Sequence, residues 1–184
     1  YYQYLLGWYF GWYSPQTDFE FFRNSMLLDE LYENDIEVTE EMIQAYANDN
    51  AAAYSGKKSS HILFDNESDA VNELAILRAS DNLEADFAAA AGQLSIDTTY
   101  ADSTGNVGWD SITTVSSQYT AALEGDEEAG IAGLAVGELS EVVQDSRGYH
   151  IILCTGEWSV EEGEEVDLET MPEAIYALMK SGAT

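Results

Sequence analysis

Two short runs constrain this chain more than any other feature. "SSHILF" (59–64) and "GYHIILC" (148–154) are apolar almost without interruption, and each carries one of the only two histidines, His61 and His150. Such runs, rich in Ile and Leu, read as strands shielded from water rather than half exposed. Between them lie amphipathic segments of helical period. "SDAVNELAILRA" sets Ala70, Leu74 and Leu77 on one face, and "NLEADFAAAAGQLS" does the same with Leu83, Phe87, Ala90, Ala91 and Leu94. A Gly- and Asp-rich loop then leads into a short strand in "NVGWD". "SSQYTAALE" reads as a brief helix burying Tyr119, Ala122 and Leu123, and "GDEEAG" as a solvated loop. "LSEVVQ" pairs with the His150 run as a hairpin across residues 145–148, where Gly148 can take a positive φ. The order β-α-α-β-α-β-β over 56–158 predicts an α+β domain with a small antiparallel sheet covered by helices.

The flanks read as helical. "FRNSMLLDELYENDI" spaces Phe22, Met26, Leu27 and Leu31 as a helix does. "VTEEMIQAYANDN" opens with Thr39 as N-cap, Glu40 and Glu41 at the positive end of the dipole, and Val38 stapled onto Ile43. After the acidic linker "EEGEEVD", a last helix with Pro172 in its first turn presents Leu168, Met171, Ile175 and Leu178 on one face, and the N-terminal helices are its natural partner. The expected partition is a partial helical region over 1–55, a central domain over 56–158, and a linker with a returning helix over 159–184. "YYQYLLGWYFGWY" is too short and too rich in Tyr and Trp to span a membrane. It reads as the adhesive face of a helix, with self-association as one outcome. The chain starts at Tyr1 rather than Met, so a processed piece with a targeting signal or membrane tether upstream is expected.

Charge narrows the function classes. With 35 acidic against 6 basic residues the formal net charge is −29, which repels nucleic acid, anionic membrane surfaces and phosphorylated ligands. Cys154 is the sole cysteine, so no intrachain disulfide forms. Metal chemistry is not expected either. On a strand, His150 and Cys154 at i and i+4 share a face but stand about 13 Å apart, too far to ligate one ion. "DNESD" (65–69) lacks the calcium-loop pattern, and neither a nucleophile elbow nor a Gly-rich phosphate loop occurs. No cofactor is called for.

Four segments in order, "SSHILF", "LSID", "TGNVGWD" and "GYHII", resemble the motifs of the parvulin-type peptidyl-prolyl isomerases. The resemblance covers residues 57–156. With its flanking helices the chain is similar to the extracytoplasmic foldases of the PrsA and SurA kind, in which a parvulin domain sits between N-terminal helices and a returning C-terminal helix. The fold implied is a four-stranded antiparallel sheet covered by helices, plus a helical chaperone region built from both terminal segments.

The residues implied as catalytic are His61, Asp97 and His150. Those implied to line an apolar proline pocket are Val107, Val115, Tyr119 and Leu123, with Val115 and Tyr119 standing where Met and Phe are usual. Thr104 replaces a glycine and Asn106 an acidic residue, and the stretch between Leu123 and "VGELSEVV" is longer than the pattern. Trp109 and Tyr149 are assigned to the core. The resemblance also implies that the two imidazoles face each other across neighbouring strands, shaping the groove rather than acting as acid and base.

Prolyl isomerisation needs no nucleophile, since only amide resonance is lost. Phospho-dependent parvulins carry a basic cluster after the first strand, and here that stretch is the acidic "FDNESDAV". The expected activity is therefore non-covalent isomerisation of X-Pro bonds in unphosphorylated, unfolded or partly folded polypeptides, in a bacterial extracellular or cell-envelope setting. The rival expectation is a non-catalytic holdase that keeps the parvulin shape for peptide binding alone.

Overall fold

The computed structural model describes residues 23–24, 38–99 and 101–183. The aromatic segment over 1–13 and nearly all of the first expected helix lie outside the described residues. The second expected helix is α1, Glu40–Asn50, capped as anticipated by Thr39, whose Oγ1 accepts from the Met42 amide. A 3-10 turn, Ala51–Tyr54, leads into β1, Gly56–Phe64. Helices α2 (Glu67–Arg78) and α3 (Leu83–Leu94) follow, then β2 (Asn106–Trp109) and α4 (Ser117–Glu124). Strands β3 (Gly125–Asp126), β4 (Ile131–Ala132), β5 (Val143–Gln144) and β6 (Tyr149–Trp158) precede the last helix, α5 (Glu173–Gly182).

The main sheet is antiparallel, in the order β2-β1-β6-β5. The two apolar runs of the sequence are its central pair, which explains why they show no polar alternation: both faces are covered. On one face Ile62, Phe64, Ile151 and Leu153 pack against Ala70, Leu74, Leu77, Phe87, Ala90 and Ala91 of α2 and α3. On the other, Ile152 and Cys154 pack against Tyr119 and Leu123 of α4, with Leu134. A third cluster joins α1 to α5 through Ile43, Ala47, Ala51, Ile175 and Met179, and rests on Trp109 and Trp158 at the sheet's end. The expected docking of the returning helix onto an N-terminal helix is thus present at α1.

Four local expectations need correction. Leu94 is 43% exposed: α3 ends there, and its inward stripe stops at Ala90 and Ala91. In α5 the buried residues are Ile175 and Met179, with Met171 buried just before the helix, while Leu178 is 40% exposed. Leu168 and Met171, which set the expected stripe, precede the helix, whose N-cap is the extended Pro172; within it Met179 lies about 40° from Ile175 and Leu178 about 60° to the other side. "GDEEAG" is not all loop, because Gly125 pairs with Ala132 and Asp126 with Ile131, leaving Glu127 and Glu128 exposed at the tip. "LSEVVQ" gives only a two-residue strand, since Leu139 makes one isolated bridge to Leu153 before the chain leaves the ladder.

One buried cation braces the site helix. Lys57 Nζ donates to the carbonyls of Leu123 (3.3 Å) and Leu134 (2.8 Å), and lies 3.9 Å from Glu124 Oε2. It thereby adds a charged donor to the Leu123 carbonyl, which also accepts from the Leu134 amide (2.9 Å), in the last turn of α4, where the dipole favours positive charge.

Candidate active site

In the β1–β6 register His61 stands opposite Ile152, and His150 opposite Leu63. Directly opposed residues share a face, so His61 and His150 are diagonal neighbours on the face that α4 covers. Their Nδ1 atoms are 3.2 Å apart and the ring centroids 5.1 Å. Tyr119 of α4 meets both rings edge-on, with centroids 5.8 Å from each. Its hydroxyl lies 3.0 Å from Ser59 Oγ, two residues before His61 on the same face.

Asp97 reaches this face because the chain after α3 runs beside the end of β1. The Ile96 amide donates to the Leu63 carbonyl (2.9 Å), and Ser95 Oγ accepts from the Leu63 amide (3.1 Å). Asp97 then has two tasks: its Oδ1 accepts from the Thr99 amide, and its Oδ2 lies 2.8 Å from His61 Nε2. The neighbouring loop accommodates both departures from the parvulin pattern. Asp102 Oδ1 accepts from the Thr104 amide, the Thr104 hydroxyl and the Asn106 amide. Gly105 is required there: its φ is +80°, and a Cβ would sit 2.6 Å from the His61 carbonyl oxygen.

Two further groups, which the sequence reading passed over as turn residues, complete the arrangement. Asp145 Oδ1 lies 2.9 Å from His150 Nε2, an approach short enough for a charge contact but off the line of a good hydrogen bond. Arg147 places Nε 3.6 Å from Asp145 Oδ2 and Nη1 3.7 Å from Asp97 Oδ2. The turn holds both: the Asp145 amide donates to the Gly148 carbonyl, and Asp145 Oδ1 accepts from the Arg147 amide at 2.7 Å. Gly148 has φ +146°, and any Cβ there would strike the Phe64 carbonyl.

Electrostatics follow from burial. Burial, followed by the neighbouring His150, pushes His61 down to about 4 against the opposing pull of Asp97. Burial likewise lowers His150, with Asp145 opposing. For Asp145, burial pulls upward, but His150, the Arg147 amide and the Ser116 hydroxyl together outweigh it and hold the carboxyl well below the usual range. The imidazoles are thus neutral at neutral pH, flanked by carboxylates.

Of the seven residues expected at the site, His61, Asp97 and His150 come together. Tyr119 and Leu123 are fully buried behind the imidazoles, and Val115 packs partly buried against them. Val107 is buried on β2, on the far side of β1 from β6 and outside that cluster. Trp109 and Tyr149 pack against core clusters, as expected. Among the described residues no group of three or more His, Cys, Asp or Glu is arranged to hold a metal ion, and no helix is long and apolar enough to cross a membrane.

Comparison with known proteins agrees with this geometry. The rotamase family, described as the PPIC-type PPIase domain, matches residues 61–156. The foldase protein PrsA of Halalkalibacterium halodurans is 31% identical over 153 residues, covering 83% of this chain and 42% of that protein. PrsA of Caldanaerobacter subterraneus is 31% identical over 137 residues, covering 73% and 41%. The chain therefore spans less than half the length of these curated relatives. A solved structure from Campylobacter jejuni, from work describing PEB4 and Cj1289 as SurA-like chaperones, superposes with a TM-score of 0.50 at 22% identity, covering 92% of this chain and 66% of that one, and shares the fold.

Proposed function

Because the chain belongs to the PPIC-type peptidyl-prolyl isomerase family, we propose that it accelerates cis–trans interconversion of X-Pro bonds in unfolded or partly folded polypeptides. The observation that carries the reading is the His61–His150 pair, held on one sheet face by two carboxylates and backed by Tyr119 and Leu123. The uncatalysed barrier is about 18–20 kcal/mol, because twisting the C–N bond forfeits amide resonance. The planar amide is the more polar state, so an environment that strips water from it penalises the ground state more than the twisted one. Nothing in this route needs a covalent intermediate or a cofactor. Neutral imidazoles suit it, since they shape the site without a charge to desolvate.

The residues after β1 support an unphosphorylated client. Asp65, Glu67 and Asp69 are all exposed there, and they repel a phosphate. His61, Asp97 and His150 are the residues assigned to the reaction; Val115, Tyr119 and Leu123 are assigned to the apolar wall, and Val107, on the far side of β1, stands apart from it. The helical segments of 1–55 and 159–184 are assigned to chaperone contacts flanking the isomerase domain of 56–158. A bacterial envelope or secreted location, with a tether preceding Tyr1 and self-association through the aromatic segment, completes the proposal.

A protease-coupled assay on short X-Pro peptides tests it. The wild type is expected to exceed the uncatalysed rate, and His61→Ala to lose most of that excess. A wild type with no excess rate, yet still suppressing aggregation of an unfolded client, would establish the holdase instead.

A further inference from the structure

Asp97, His61, His150, Asp145 and Arg147 close a ring of side chains, with successive contacts of 2.8, 3.2, 2.9, 3.6 and 3.7 Å. Its hydrogens do not suffice for every contact. By distance Asp97–His61, His61–His150 and His150–Asp145 can each take one hydrogen, the last of them bent away from the straight line. Two neutral imidazoles bring two, and ionised carboxylates bring none. One of the three contacts therefore goes without.

The surroundings decide which. A bare Nε2 lone pair 2.8 Å from Asp97 Oδ2, or 2.9 Å from Asp145 Oδ1, would set a lone pair against a full negative charge. Two bare Nδ1 atoms set only partial charges against each other, at the longer distance of 3.2 Å. We propose that Asp145, braced by Arg147, is a positioning residue that fixes His150 as its Nε2–H tautomer, leaving both Nδ1 atoms facing each other without a hydrogen. Asp97 does the same for His61. Arg147 lies within ion-pair distance of both carboxylates and so links the two ends of the row. The Ser116 hydroxyl also helps hold Asp145 ionised, and Ser116 is the N-cap of α4, which ties the tautomer to the helix that walls the site.

The positioning role rests on the isomerase reading above; the tautomer does not. With only two histidines, the chain labelled with 15N-histidine gives two ring spectra, and the nitrogen-to-hydrogen couplings assign each tautomer directly. At neutral pH both wild-type rings are expected as Nε2–H, and a ring found as Nδ1–H would overturn the proposal without any variant. In Asp145→Asn the amide can donate to His150 Nε2, which supplies the missing hydrogen, so His150 is expected to shift to Nδ1–H. Its kcat is expected to fall at least fivefold with KM little changed. An unshifted tautomer, or a shifted one with kcat within twofold of wild type, refutes the positioning role. An inactive wild type would remove the isomerase reading, while the tautomer measurement still decides the hold of Asp145 on the ring.

Discussion

Substituting Tyr119 by Phe separates the packing of the site wall from its one buried polar contact. The Tyr119 ring has no exposed surface, and its hydroxyl meets Ser59 Oγ at 3.0 Å, where Ser59 itself is 1% exposed. Phe keeps the ring edge against both imidazoles and removes only the oxygen. The loss leaves the Ser59 hydroxyl buried without its partner, which costs about 1–3 kcal/mol. For a chain of this length that lowers the melting temperature by about 2–4 °C per kcal/mol. Ser59→Ala alone strands the Tyr119 hydroxyl and should cost a similar amount. The double variant strands nothing, so its loss should be below about 1 kcal/mol, far less than the sum of the singles. Urea unfolding with an unchanged m value reads all four corners of the cycle. The isomerisation rate of Tyr119→Phe should stay within about twofold, because the wall keeps its shape. Strict additivity in the double variant would refute the reasoning, since it would mean that the two oxygens do not depend on each other.

Other perturbations test other parts. His61 stays neutral in the fold down to about pH 4, while the unfolded chain takes up its proton below 6.5. Its contribution is therefore complete above pH 6.5 and drains toward pH 4, by roughly 3 kcal/mol in all. Glu124 works the other way: burial, with the Asp110 carboxyl beside it, raises it from 4.5 to about 7, so its effect on stability worsens as pH rises through that window. Glu124→Gln removes the offset, and its unfolding free energy should fall more steeply between pH 6.5 and 4 than that of wild type; parallel profiles would count against both assignments. Lys57→Met removes a charged donor from the Leu123 and Leu134 carbonyls and should cost roughly 1.5–3 kcal/mol, with faster amide exchange in α4. Unchanged exchange there would show that Lys57 does not brace the helix. Gly148→Ala drives a Cβ into the Phe64 carbonyl at positive φ and should cost more than about 1 kcal/mol, seen as a lower urea midpoint; an unshifted midpoint would mean that the turn relaxes freely.

The two histidine runs were readable because burial on both faces leaves a mark in composition: "HILF" and "HIILC" lack polar alternation, and they prove to be the centre of the sheet. Asp97 was readable through its motif. Asp145 and Arg147 were not, because "QDSRGY" has the composition of any hairpin turn; only the Gly148 geometry sends these two side chains back toward the imidazoles. Nothing in "GKKSS" marks Lys57 as buried. It is buried because the end of α4 and the chain at Leu134 close over it, a contact between segments 66 and 77 residues apart. Leu178 was misplaced because Leu168 and Met171, from which its stripe was extended, lie before α5 and do not share its helical phase.

The central β1–β6 pairing joins residues 89 positions apart at the two imidazoles. Closing so wide a loop comes late for a chain that can build helices locally first. A copy still emerging from its place of synthesis, or stalled with its helices formed, possesses neither the row of imidazoles nor its carboxylate ends. Under the proposed activity, turnover of a prolyl bond would report that the domain has itself finished folding, and a mixture of complete and incomplete copies would work only in proportion to the complete ones.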